Sequence, residues 1–164
     1  MSEIEVLGMR EIEKEVSFEE RLITFYLNNE LIGINIRDVV KITKDIEITS
    51  VPKTKNYILG VMNLRGNIIP VVSLKRMFNL GGEDNTENPF IVVVETELGH
   101  IGISVDKVEG AININPEDIQ PPPMNSIGID PEFIDGVIMI EDSTGKKELL
   151  TLLNIKKIFR QENL

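Results

Sequence analysis

The chain holds a single histidine, His100, and no cysteine. One imidazole can serve as a general base, but a nucleophile has to stand beside it. Ser104 lies four residues on, with no G-x-S-x-G turn to present its hydroxyl. Lack of cysteine removes disulfides, thiolate metal sites and thiol nucleophiles together, and a lone histidine cannot complete the usual zinc sets. Glu83, Asp84 and Glu87 could gather a hard cation, but the ordered spacing of an EF-hand is missing. Asp130, Asp135, Glu141 and Asp142 could supply paired carboxylates for acid–base work. All four flank turns, where short acidic side chains are common for conformational reasons. No glycine pattern capable of cradling phosphate occurs. His100 therefore reads as a strand-start histidine, and the acids as solvated turn residues.

Arg65 stands apart. In "GVMNLRGNIIPVVSL", residues 60–74, one apolar run enters, Asn63-Leu64-Arg65-Gly66-Asn67 interrupts it, and a second leaves through Pro70. A turn calls for Gly and Asn, not for arginine. Two readings stand side by side. The arginine packs its stem and pairs with a surface acid, or its planar, permanently charged fork awaits a partner at an interface.

The elements that hold these residues read mainly as β. "RLITFYL" and "LIGINI" flank Asn28-Asn29 as a hairpin, followed by "VVKITK". "VPKTKNYILG" is a connector with room for one helical turn. "VMNL" and "NIIPVVSL" form the hairpin that carries Arg65. Pro70 cannot donate a ladder hydrogen bond, so its strand should be an edge or bulged there. "KRMFNL" suggests a short helix stopped at Gly81-Gly82, and "GGEDNTENP" a lobe boundary. "FIVVVETE", "HIGISV" and "AININPEDI" follow, then the proline-rich "QPPPMNSIGIDPEF". "IDGVIMIE" and "ELLTLL" form a last hairpin across residues 142–145. Asn154 should cap a C-terminal helix.

The two halves resemble each other. Ile32-Gly33-Ile34-x-Ile36-x-x-Val39 recurs as Ile101-Gly102-Ile103-x-Val105-x-x-Val108, Gly60-Val61 as Gly136-Val137, and "VVSLKRMF" as "LLNIKKIF". The landmarks keep their order, which implies two similar β-barrel lobes arisen by duplication. Lobe one would span about 18–80 and lobe two about 88–160, with residues 1–17 a short acidic helix or a tail. Shared residues are then scaffold, while Arg65-Gly66, absent from the second half, needs another reason.

Composition narrows the class. At 164 residues, 41% hydrophobic and 27% charged, the chain suits one globular domain. A net charge of -10, with two Tyr, six Phe and no Trp, argues against nucleic acid. An oligosaccharide- or oligonucleotide-binding barrel, and a small β-barrel enzyme using scattered carboxylates, are the alternatives. The opening residues lack a signal-peptide core, and no apolar run nears the roughly 20 residues that cross a bilayer. The expected location is the cytoplasm.

The segment "VPKTKNYILGVMNLRGNIIPVVSL", residues 51–74, resembles the signature of CheW-like domains. "LIGINIRDVVKI", "IGISVDKVEGAI" and the closing "GVIMI…LLTLLNIKKIF" resemble that family's other landmarks, so the likeness covers roughly residues 19–160. It implies two SH3-like five-stranded β-barrel subdomains around a shared hydrophobic core, with no catalysis, cofactor or metal. It implies a free-standing adaptor between chemoreceptors and the histidine kinase CheA, recruited to membrane-bound receptor arrays. The partners would be the kinase's regulatory domain and the receptor's cytoplasmic helical tip, the latter in a groove between lobes. The coupling positions it implies are Val39, Gly60, Arg65 and Val108. Lys41 stands where family members can carry an acid, which puts a charge-dependent contact there in doubt.

Overall fold

Alternating apolar residues between Gly- and Asn-containing turns give ten strands. The structure, a computed structural model, describes residues 19–123 and 128–161. The expected tail or helix over 1–17 lies outside them. The strands are β1 (Glu20–Leu27), β2 (Glu30–Asn35), β3 (Val39–Lys44), β4 (Ile58–Leu64) and β5 (Asn67–Ser73). Helix α1 (Leu74–Met77) comes next. Then follow β6 (Phe90–Thr96), β7 (Gly99–Val105), β8 (Lys107–Ile114), β9 (Ile134–Glu141), β10 (Lys147–Leu153) and α2 (Ile155–Ile158). Both short helices start from polar caps, of which only Asn154 was expected. Ser73 accepts from the Arg76 amide, and Asn154 Oδ1 from the Lys157 amide at 3.0 Å.

The strands form two five-stranded sheets, ordered β8-β1-β2-β10-β9 and β3-β6-β7-β5-β4. Each is mixed, with one parallel pair, β2·β10 or β5·β7. Replacing each of β1–β5 by β6–β10, and the reverse, turns one order into the other. Sheet membership thus crosses the boundary expected at the 81–89 loop. Each sheet takes two strands from one half of the chain and three from the other.

The expected SH3-like barrels are corrected by this topology, because neither sheet closes. In the first, β8 and β9 remain edges among the described residues, where only an isolated bridge, Gln120 to Val137, approaches β9. In the second, Thr49 bridges Val61 on the edge strand β4 in the same way. Neither bridge can grow into a ladder. Pro121–Pro123 follow the first and Pro52 the second, and proline has no N–H to donate.

The largest apolar cluster lies between the sheets. It joins Phe25, Ile32 and Ile34 of one to Val92, Val94 and Ile103 of the other, and is plugged by Ile155 and Phe159. Phe25, Ile32, Ile103 and Phe159 are fully buried, worth about 1.5–3 kcal/mol each. Each sheet also covers a smaller cluster, around Leu150 or around Met62. Two apolar faces explain why "FIVVVE" is continuous rather than alternating.

Pro70 departs from expectation, since β5 is neither an edge nor bulged at that residue. Pro70 faces Val61, whose own backbone bonds go to Thr49, and the ladder to β7 begins at Val71. The missing N–H therefore breaks nothing. In "VPKTKNYILG" a turn with Lys53 at φ +61° replaces the expected helical turn.

Candidate functional site

The β4–β5 hairpin is built from both ends. At its base, Gly60 has φ +152°, and a Cβ there would collide with the Thr49 carbonyl. The collision is with backbone, which cannot swing aside. Next to it, Val61 and Thr49 exchange two hydrogen bonds of 2.8 Å. Gly136 repeats the arrangement, with φ +156° and its own collision against the Gln120 carbonyl.

At the tip, Leu64 pairs with Asn67, leaving a two-residue turn. Arg65 has φ +51° and Gly66 φ +87°, the signs of a type I′ turn. The Gly66 amide donates to Asn63 Oδ1 at 2.8 Å, which locks the turn. Left-handed backbone is unfavourable for arginine, and Asn or Asp would be easier there. The Arg65 guanidinium is exposed and forms no hydrogen bond or ion pair among the described residues. Of the two readings of this residue, intramolecular pairing is therefore not the one found. Ile68, just beyond the turn, leaves 63% of its surface open.

Val39 and Val108 occupy repeat-equivalent places near the starts of β3 and β8. Both are half-buried and pack on the rim of the inter-sheet core. Val39 pairs with Val94, Val108 with Phe25, and each lies beside a register shift. Lys41, just past the shift in β3, is exposed. The structure thus brings Val39 and Lys41 together on one strand, and Gly60 and Arg65 on one hairpin. Val39 and Val108 share the central core.

Four of the acids considered for cation binding or catalysis are engaged in local structure. Asp84 accepts from Ser73 Oγ at 2.8 Å and pairs with Arg76 at 3.2 Å. Asp130 caps the Glu132 amide, and Asp135 accepts from Asn154 Nδ2. Asp142 accepts from the Thr144 hydroxyl and from the Thr144 and Lys146 amides. These bonds, the hydroxyl's first, pull its carboxyl below the usual range. His100 pairs across strands with Glu95, whereas Ser104 is buried roughly 13 Å further along the strand. Among the described residues no cluster of three His, Asp or Glu could hold a metal. No helix there is long and apolar enough to cross a membrane.

Two features were missed by sequence reasoning. Lys75 is 4% exposed, with its ammonium 2.5 Å from Asp106 and 2.9 Å from the Glu83 carbonyl. Asp106 also accepts from the Asn28 amide at 2.6 Å, so the cluster ties the β1–β2 turn to α1. Tyr26 donates to Glu148 at 2.9 Å. Burial first, then that bond, pushes its phenol up to about 12. A lysine within "SLKRMF" and a tyrosine at a strand end gave no local sign of either.

Comparison with known proteins places this geometry in context. The family model described as CheW-like domain matches residues 21–163. The chain is 32% identical to chemotaxis protein CheW of Treponema pallidum, over 96% of this chain and 93% of that protein. It is 32% identical to chemotaxis protein CheW of Helicobacter pylori, over 87% and 82%. Among solved structures, the scaffolding protein TtCheW of Thermoanaerobacter tengcongensis superposes with a TM-score of 0.75 at 32% identity. The match covers 88% of this chain and 90% of that one.

Proposed function

This chain belongs to the CheW-like domain family, a family of non-catalytic chemotaxis adaptors, and from that premise we propose which partners it joins and how. One partner is the regulatory domain of the histidine kinase CheA. The other is the cytoplasmic helical tip of a chemoreceptor, which recruits the protein to receptor arrays at the membrane. The observation that carries this reading is the family match across residues 21–163, nearly the whole chain.

The physical basis is positional. The two-residue turn fixes the place from which the Arg65 side chain projects, and no group of the described chain neutralises its guanidinium. Its planar fork suits a bidentate contact with an external carboxylate. Val39 and Val108, half-buried on the rim of the inter-sheet core, and the exposed Lys41 on β3 are the positions at which a helical hairpin would dock. Gly60 acts by shaping the hairpin base rather than by touch. Receptor signals then shift the kinase's active population only insofar as these contacts differ between states.

Titration calorimetry with the isolated CheA regulatory domain tests the reading. Saturable one-to-one binding is the expected result. A folded sample that gives no heat with that domain would overturn it. No observation favours the carboxylate-enzyme alternative, and of its candidate acids Asp130, Asp135 and Asp142 are held in the local bonds described above.

A further inference from the structure

Strand β3 is the one strand among the described residues with no buried residue. It is an end strand, hydrogen-bonded among the described residues to β6 alone. No described residue pairs with the backbone donors and acceptors of its outer edge, and Val40 and Ile42 expose 46% and 38% of their surface. Such an edge invites another strand. Lys41 and Lys44 guard it, so a basic strand would be repelled while an acidic one would be attracted.

A segment of that description is attached nearby. The described chain begins at Glu19, which lines one cleft together with Asn35, Ile36 and Arg37. Strand β3 starts two residues after Arg37. Residues 1–18 contain five glutamates against Arg10 and Lys14. Glu3 and Glu5 alternate with Ile4 and Val6, and Glu11, Glu13 and Glu15 alternate with Ile12, Lys14 and Val16. Acid on one side and mostly apolar residues on the other is the period of a strand with one wet face. Eighteen residues reach about 60 Å when extended, against about 20 Å for β3.

We propose that the free edge of β3 is a docking site for the chain's own acidic N-terminal segment, residues 1–18, added antiparallel as a sixth strand. Running back from Glu19, the segment meets the Val39 end of β3 first, so antiparallel addition needs no crossover. Lys41 then faces the glutamates, and Ile42, on the opposite face of β3, is covered by the segment's apolar residues. Where the adaptor reading holds, the segment competes with a partner for Val39 and Lys41, a consequence that rests on that reading. The docking itself does not.

The lack of cysteine allows a clean test on the full chain. A spin label on Ser2→Cys or Ser17→Cys should broaden the amide NMR signals of Val39–Lys44 at low salt. The broadening should fade at high salt, where charge attraction is screened, and in the Lys41→Glu, Lys44→Glu double variant. Hydrogen exchange at β3 amides should quicken at least several-fold in that variant, with β6 and β7 unchanged. Broadening centred on another edge, or none at β3, overturns the proposal. So does broadening that vanishes when labelled protein is diluted with unlabelled, since the segment would then be docking on a second copy. Calorimetry with the kinase domain reports on the adaptor reading separately, so the two can fail independently.

Discussion

The β4–β5 and β9–β10 hairpins descend from the same repeat, yet they spend their turn residues differently. Both bend at a glycine that no other residue can replace, Gly60 or Gly136, against a carbonyl of a single-bridge residue. In the second hairpin, the turn is held by Asp142, whose carboxylate takes three hydrogen bonds from Thr144 and Lys146. In the first, the locking bond comes from Asn63, and the strained position goes to Arg65, whose charge is used by nothing within the described chain. The shared glycine belongs to folding. The arginine is held in a conformation that folding alone would give to asparagine, which points its purpose outward.

The comparison breaks first at the glycines. Gly60→Ala and Gly136→Ala should each lose about 3 kcal/mol or more, since strain and a backbone collision combine. Urea unfolding would show it, and a large loss at only one site would end the claim of equivalence. Next come the repeat-equivalent lysines. Lys75→Ala leaves Asp106 without its ammonium partner and should cost about 2–3 kcal/mol. Lys156→Ala, on an exposed side chain, should stay within about 0.5 kcal/mol in the same assay.

Arg65 sharpens the contrast by separating stability from binding. Arg65→Asn should stabilise the fold by about 0.5–1 kcal/mol, because asparagine tolerates left-handed backbone. The same change should weaken the kinase domain or receptor interaction about tenfold, a loss of about 1.4 kcal/mol. Arg65→Ala should weaken binding equally with little change in stability. Unaltered receptor-dependent kinase activation in both variants would remove Arg65 from the coupling surface.

The smallest effect is alkaline. The Tyr26 phenol lies higher folded than its ordinary 10.0, at about 12. Its contribution to stability is whole below pH 10 and is lost as pH rises through 12. Tyr26→Phe should abolish that part of the alkaline decline, as followed by chemical denaturation between pH 9 and 12.

Much of this was legible locally. The Arg65-Gly66 turn, the Asn154 cap and the repeat itself follow from short-range spacing, because turns and caps are set by neighbours in sequence. Sheet membership was not, because β2 pairs in parallel with β10 more than a hundred residues away and no local pattern names a strand's partner. The open edges were missed for the same reason. "VVSLKRMF" and "LLNIKKIF" look alike, yet of Lys75 and Lys156 only Lys75 is buried, because Asp106 awaits it, whereas the place matching Asp106 beside Lys156 is taken by Arg37 of the first half. Residues 39 and 108 were recognised as equivalent, but the lack of any buried residue in β3 comes from tertiary surroundings that its sequence does not display.

The exchange of strands between the two sheets has a kinetic consequence. Neither half of the chain can complete a sheet alone, and half of the strand pairings, β1·β8, β2·β10, β3·β6 and β5·β7, join strands that are not neighbours in sequence. Folding should be slow for a domain of this size and cooperative across its length. A nick in the 81–88 loop would yield two fragments that become ordered only on mixing, each lending the other the strands it lacks. The molecule is in that sense a covalently tethered dimer of intertwined halves.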